Sequence, residues 1–136
     1  MSLPDLQNQA RNFAADVTRL LNGTVANGVT LSAVVTPSGT TVVGRGVTKT
    51  DWTPRTVPLT TSGARPKAWL RIAYILGLDA EERWLAVTKS DYSICLDEDG
   101  DQVLAHYDYD RSPGNPYPSA HLQANGHNPH VYELCA

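Results

Sequence analysis

The sequence predicts an α+β domain in which one N-terminal helix packs on a mainly antiparallel, twisted sheet of about six to eight strands. Three observations carry that expectation. One stretch alone repeats its apolar residues at helical spacing, almost everything after Gly28 reads as β-branched or alternating runs, and Pro/Gly clusters separate those runs. A chain of 136 residues is about one domain long, so residues 1–136 are expected to share one core.

The helix is expected from about Pro4 to Leu21, where Leu6, Ala10, Phe13, Ala14, Val17, Leu20 and Leu21 form one stripe. Ser2 suits the N-cap, Pro4 the first turn and Asp5 the positive end of the dipole. Asn22-Gly23 suits the end, by supplying a residue that tolerates positive φ. The stripe must be buried, and a sheet face is the available mate.

The β-rich part is expected from about 29 to 132. VTLSAVV and TTVV read as a hairpin around Pro37-Ser38-Gly39. A Gly-, Thr- and Pro-rich loop follows over about 44–66, with a short strand around Val57 to Thr60. It is a surface loop, either mobile or ordered by a partner. Lys67 to Leu78 alternates as a strand, the acidic DAEER turns the chain, and a second long strand begins at Trp84.

The next hairpin has a derivable register. A two-residue turn at Asp99-Gly100 sets Leu96 opposite Val103, Ile94 opposite Ala105 and Tyr92 opposite Tyr107 on one face. The other face then pairs Cys95 with Leu104, Ser93 with His106, and Asp91 with Asp108. Two carboxylates directly opposed call for Arg111, Lys89, a metal or water between them.

Composition narrows the classes. No apolar run approaches the roughly 18 residues that span a bilayer, and the N-terminus lacks the build of a secretory signal, so a cytoplasmic protein without a membrane partner is expected. Cys95 and Cys135 are too few and too far apart for a disulfide framework or a zinc knuckle. The net charge of −3 argues against a general DNA coat. It hides a basic stretch (Arg45, Lys49, Arg55, Arg65, Lys67, Arg71) and an acidic one (Asp79 to Asp110), which either neutralise each other or form a two-signed surface. Phosphate-loop, dinucleotide and serine-elbow signatures are absent, and no cofactor is implied. Asp97, Asp99 and Asp101 begin like a calcium loop, but Gln102 stands where its glycine belongs.

Chemistry concentrates in HYDYDRSPGNPYPSAHLQANG, from His106 to Gly126. Strand parity divides it into a half expected to be buried, Tyr107 and Tyr109 with Ala120 and Leu122, and an exposed half of His106, Asp108, His121 and Gln123. Two histidines and one carboxylate have the composition of a non-haem iron triad, but the chain is short and the spacing close for one, so no metal is expected. A second reading is metal-free phosphodiester cleavage, with His106 and His121 as acid and base beside Asp108, and Arg111 holding phosphate. The third is recognition, in which Tyr107, Tyr109, Arg111, Tyr117 and Gln123 contact a protein or nucleic acid. An ordinary structural role, satisfying loop amides and carbonyls, stands beside all three. His127 and His130 read as exposed loop residues.

The pieces WLAVTKSDYSICLDEDG, HYDYDR and YPSAHLQ resemble a group of uncharacterised proteins of actinobacteria and their phages, over roughly Lys67 to Gly126. The resemblance implies a host and a mobile-element setting, and no activity. The pattern carries an arginine where this chain has His106, which weakens any scheme that needs that imidazole. It also continues past the AHLQ strand, so a shortened member is expected. Together these readings favour a non-enzymatic binding or regulatory domain for a host protein or nucleic acid. The competing expectation is a small hydrolase or ribonuclease-like toxin.

Overall fold

A computed structural model describes residues 3–60, 65–79, 81, 84–111 and 119–124. Helix α1 (Leu3–Asn22) is followed by β1 (Leu31–Val35), β2 (Thr41–Arg45), β3 (Thr56–Leu59), β4 (Ala68–Leu78), β5 (Leu85–Cys95), β6 (Val103–Asp110) and β7 (Ser119–Ala124). The expected α+β arrangement is the observed one: the strands form a single antiparallel sheet in the order β1-β2-β4-β5-β6-β7. β3 joins the same edge of β4 as β2, one pairing with 68–71 and the other with 73–76. No described helix is long and apolar enough to cross a membrane.

The helix lies on the sheet by its predicted stripe, except that Leu20, expected within it, faces outward and is 64% exposed. Ala10, Ala14 and Leu21 are buried against Leu31, Val43, Ile72, Tyr74 and Leu76, with Phe13 and Val17 packed alongside. Small alanines at the centre allow close approach, and Phe13 meets Tyr74 edge-on with ring centroids 4.9 Å apart. Polar clamps fix the helix in place. Gln9 Oε1 accepts the Leu85 N–H at 2.9 Å, and Asn22 exchanges two hydrogen bonds with the backbone of Val29.

The helix ends at Asn22-Gly23 as expected, with Gly23 N–H donating to the Arg19 carbonyl, but Gly23 does not carry a positive φ. The positive φ falls at Gly28, after a turn held by the Ala26 N–H on the Leu21 carbonyl. The proposed Ser2 cap lies outside the described residues.

Of the segment expected as a loop, Pro54 packs back against β2. Pro54 sits so close to Gly44 that a Cβ there would lie 2.9 Å from the proline Cβ. The expected short strand is β3, and it places Thr56 beside Arg71. That contact matters for the next hairpin.

The β5–β6 hairpin departs from its expected turn. Leu96 N–H donates to the Gln102 carbonyl, and Cys95 pairs with Val103, one residue out of the predicted register. A bulge between Ile94 and Cys95 then restores Ile94 to Ala105, Tyr92 to Tyr107, Ser93 to His106 and Asp91 to Asp108, all as expected. The expected pairs Leu96 with Val103 and Cys95 with Leu104 are not formed. The physical reason is Asp97: its carboxylate accepts the N–H groups of Asp101 and Gln102, which favours a wider turn than Asp99-Gly100 alone. Arg71 Nη2 donates to the Asp99 and Gly100 carbonyls, and Thr56 Oγ1 donates to the Glu98 carbonyl. The basic segment thus meets the acidic one at Arg71, over the buried Cys95.

Candidate functional site

The β5, β6 and β7 strands bring together the residues that the sequence singled out. Asp108 stands directly opposite His121, and His106 directly opposite Gln123, so the two polar strand faces do adjoin. His106 occupies the space between the opposed carboxylates: its Nδ1 lies 3.2 Å from Asp91 Oδ1 and its Nε2 lies 3.6 Å from Asp108 Oδ2. His121 Nδ1 approaches the other Asp108 oxygen at 3.3 Å. The group between the carboxylates is therefore His106, not Arg111 or Lys89. Lys89 pairs instead with Asp110 at 3.8 Å, and Arg111 follows the end of β6, where its N–H donates to the Thr88 carbonyl.

The contacts are electrostatic rather than aligned. Asp91 Oδ1 and Asp108 Oδ1 are shielded from solvent, and neither accepts a well-directed hydrogen bond although an imidazole nitrogen is near each. His106 Nδ1 has its short contact with Ser93 Oγ, at 2.8 Å. A serine, a histidine and an aspartate in succession have the composition of a nucleophile relay. Ser93 is only 4% exposed, however, so no substrate carbonyl reaches its hydroxyl. The Ser93–His106 pair holds the strands in register.

The metal reading fares no better on geometry. No three of Asp91, His106, Asp108 and His121 bring one ligand atom each within 4.8 Å of one another, whereas Asp97, Asp99 and Asp101 do. Asp97 is already engaged by backbone N–H groups, chiefly that of Gln102, and they hold its carboxyl below the usual aspartate value. A shallow cleft of about 260 Å³, lined by Val103, Leu104, His106, Gln123 and Ala124, lies at the hairpin end of this face.

The other face overturns the expected burial. Tyr107 and Leu122 are directly opposed across β6 and β7, yet they are 39% and 74% exposed, and Ile94 is likewise open. Ala120 is exposed as well, while Tyr109 is half-buried. On the side expected to be exposed, Ser93, Cys95 and Leu104 are buried instead. The cause is the reach of α1, which packs on β1, β2, β4 and the start of β5; among the described residues nothing covers the β6–β7 end.

Comparison with family models, curated proteins and solved structures finds no match.

A line of rings ties the uncovered end to the core. Phe13 meets Tyr74, Tyr74 meets Tyr92 at 5.7 Å, and Tyr92 meets Tyr107 at 6.0 Å. Tyr107 is thereby an anchored aromatic at the surface. Gln123 is exposed beside the His/Asp row, while Tyr117, His127 and His130 lie outside the described residues. The sequence reading missed Ile94 and Leu122 as surface groups. Their one local signal is that Leu122 is a large apolar side chain flanked by polar His121 and Gln123 in a strand otherwise of small apolar residues.

Proposed function

We propose that the chain is a non-enzymatic binding or regulatory domain that takes a host protein on the uncovered β6–β7 end of its sheet. The observation that carries this reading is the directly opposed pair Tyr107 and Leu122, exposed together on an apolar face and braced from the side by Tyr92. A ring already held by its neighbours loses little side-chain freedom on binding, and tyrosine is enriched where interfaces concentrate their energy. The carboxylates on the adjoining strand positions and the net charge of −3 favour a protein over nucleic acid. The resemblance to actinobacterial and phage proteins supports a mobile-element setting and a host partner.

The test is capture from actinobacterial lysate on the immobilised chain, with Leu122→Asp and Tyr107→Ser as controls that leave the core intact. A protein retained by the parent chain and lost from both variants is the expected result. Retention of nucleic acid that weakens steeply with salt would transfer the reading to that partner, and equal retention by all three chains would end it.

A hydrolase or ribonuclease-like toxin is the second reading, favoured by one observation: His106 and His121 share the Asp108 carboxylate. It requires that His121→Ala abolish toxicity or RNA cleavage while the fold persists and Leu122→Asp retains the activity.

A further inference from the structure

Among the described strands β1 is the outermost on the side away from β7, and a groove of about 480 Å³ runs between it and α1. Arg11, Ala14, Ala15, Thr18 and Arg19 form the helical wall, and residues 30–33 form the strand wall.

The direction of the β1 backbone groups follows from its ladder. Thr36 N–H donates to the Thr40 carbonyl at 2.8 Å, so bonded pairs recur at Val34 with Val42 and at Ser32 with Gly44. The intervening residues Leu31, Ala33 and Val35 turn their N–H and C=O groups away from β2. Leu31 shows this directly, because its N–H donates outward to Thr18 Oγ1 at 3.0 Å. Ala33 and Val35 are left with main-chain groups facing outward. Natural edges are usually blunted by charge, proline or a bulge, and LSAVV has none of these.

The helix adds charge to this edge. Arg11, Ala15 and Arg19 fall at four-residue spacing on one stripe, with a small residue between two cations. Arg19 is paired with Asp16 on its own helix, and Arg11 has no carboxylate partner among the described residues. Eight helical residues advance about 12 Å, and four extended residues advance about 13 Å. Carboxylates at positions i and i+4 of an extended chain therefore match the spacing of Arg11 and Arg19. The residue midway between them falls over Ala15, where there is room for an apolar side chain.

We propose that β1 takes an extended acidic peptide as an added strand, hydrogen-bonded to Ala33 and Val35 and held by two carboxylates on Arg11 and Arg19. This surface is independent of the β6–β7 end and stands whether or not that end binds a partner.

The test is fluorescence anisotropy on the whole chain. The probe is a labelled, roughly nine-residue peptide of alternating threonine and valine with two glutamates four positions apart. Saturable binding is expected, weakened roughly tenfold by Ala33→Pro or by Arg11→Glu and lost when lysines replace the glutamates. Ala33→Pro removes an outward N–H and leaves the bonds to β2 intact, and circular dichroism checks the fold. If that variant does not fold, Arg11→Glu and the loss of binding with added salt decide alone. No saturable binding, equal binding of the lysine peptide, or unchanged affinity in the folded variants would overturn the proposal. So would a dimer of the chain that Ala33→Pro dissolves while the peptide fails to bind, because the edge would then belong to a second copy.

Discussion

Asp91 and Asp108 face each other across β5 and β6, and each directs an oxygen toward the His106 ring that lies between them. Opposed carboxylates destabilise a strand pair unless a donor or cation separates them. Here the separating group is part of the same ladder.

His106→Ala is therefore expected to lower stability by about 1–2 kcal/mol in urea unfolding, reduced from a fully buried value because the ring is partly exposed. Adding Asp91→Asn should recover part of the loss. Equal destabilisation in the single and double variants would remove the electrostatic account and leave packing.

Asp97 links stability to pH. The Gln102 and Asp101 N–H groups hold its carboxyl below the unfolded value, so it stabilises the fold above the normal carboxylate range. That contribution is lost as the pH falls through the lower folded value. Asp97→Asn is expected to lower the neutral plateau of a melting-temperature profile and to converge on the parent at acid pH, so that its acid limb is flatter. A parallel displacement of the whole curve would contradict it.

Gly100→Ala tests how the turn is seated. Gly100 has φ +78°, and a Cβ there would lie 2.0 Å from Arg71 Nη2. Backbone strain and displacement of Arg71 together should cost about 1–3 kcal/mol, with a smaller loss for Arg71→Ala. Parent-like melting of Gly100→Ala would mean that Arg71 swings aside without loss.

Cys95 is fully buried, and burial pushes its thiol up, so alkylation should be slow in the native chain. Peptide mapping after iodoacetamide treatment should show Cys95 unmodified until denaturant is added. Rapid native labelling at Cys95 would show that the 97–101 turn opens readily from Arg71.

Tyr74 is pushed well above the ordinary tyrosine range, chiefly by burial and further by its hydrogen bond with Tyr92. The raised folded value gives stability that is present below about pH 10 and lost as the pH rises beyond it. Alkaline absorbance titration should show a phenol that ionises only together with unfolding, and Tyr92→Phe should cost about 1 kcal/mol.

Much of the architecture is legible in the chain because its signals are local. The stripe from Leu6 to Leu21 marks α1, and alternation marks β4 through β7. Matching apolar and polar partners give the register from Ile94–Ala105 to Asp91–Asp108. That register survives a misjudged turn because the bulge beside Cys95 absorbs the extra residue. Parity puts His106 with Asp108 on one face of β6 and His121 with Gln123 on one face of β7, but that the two faces adjoin is decided only by the β6–β7 pairing.

Alternation separates two faces of a strand but carries no sign for which of them will be covered. A helix of 20 residues, about 30 Å long, reaches only part of a sheet this wide, and its contacts put it over β1, β2, β4 and the start of β5. On the opposite face, Arg71 and Thr56 draw the 97–101 turn down over Cys95. These long-range contacts leave Tyr107 and Leu122 at the surface and Ser93 inside, the reverse of what side-chain polarity suggests, because burial depends on what packs above a residue as well as on the residue itself.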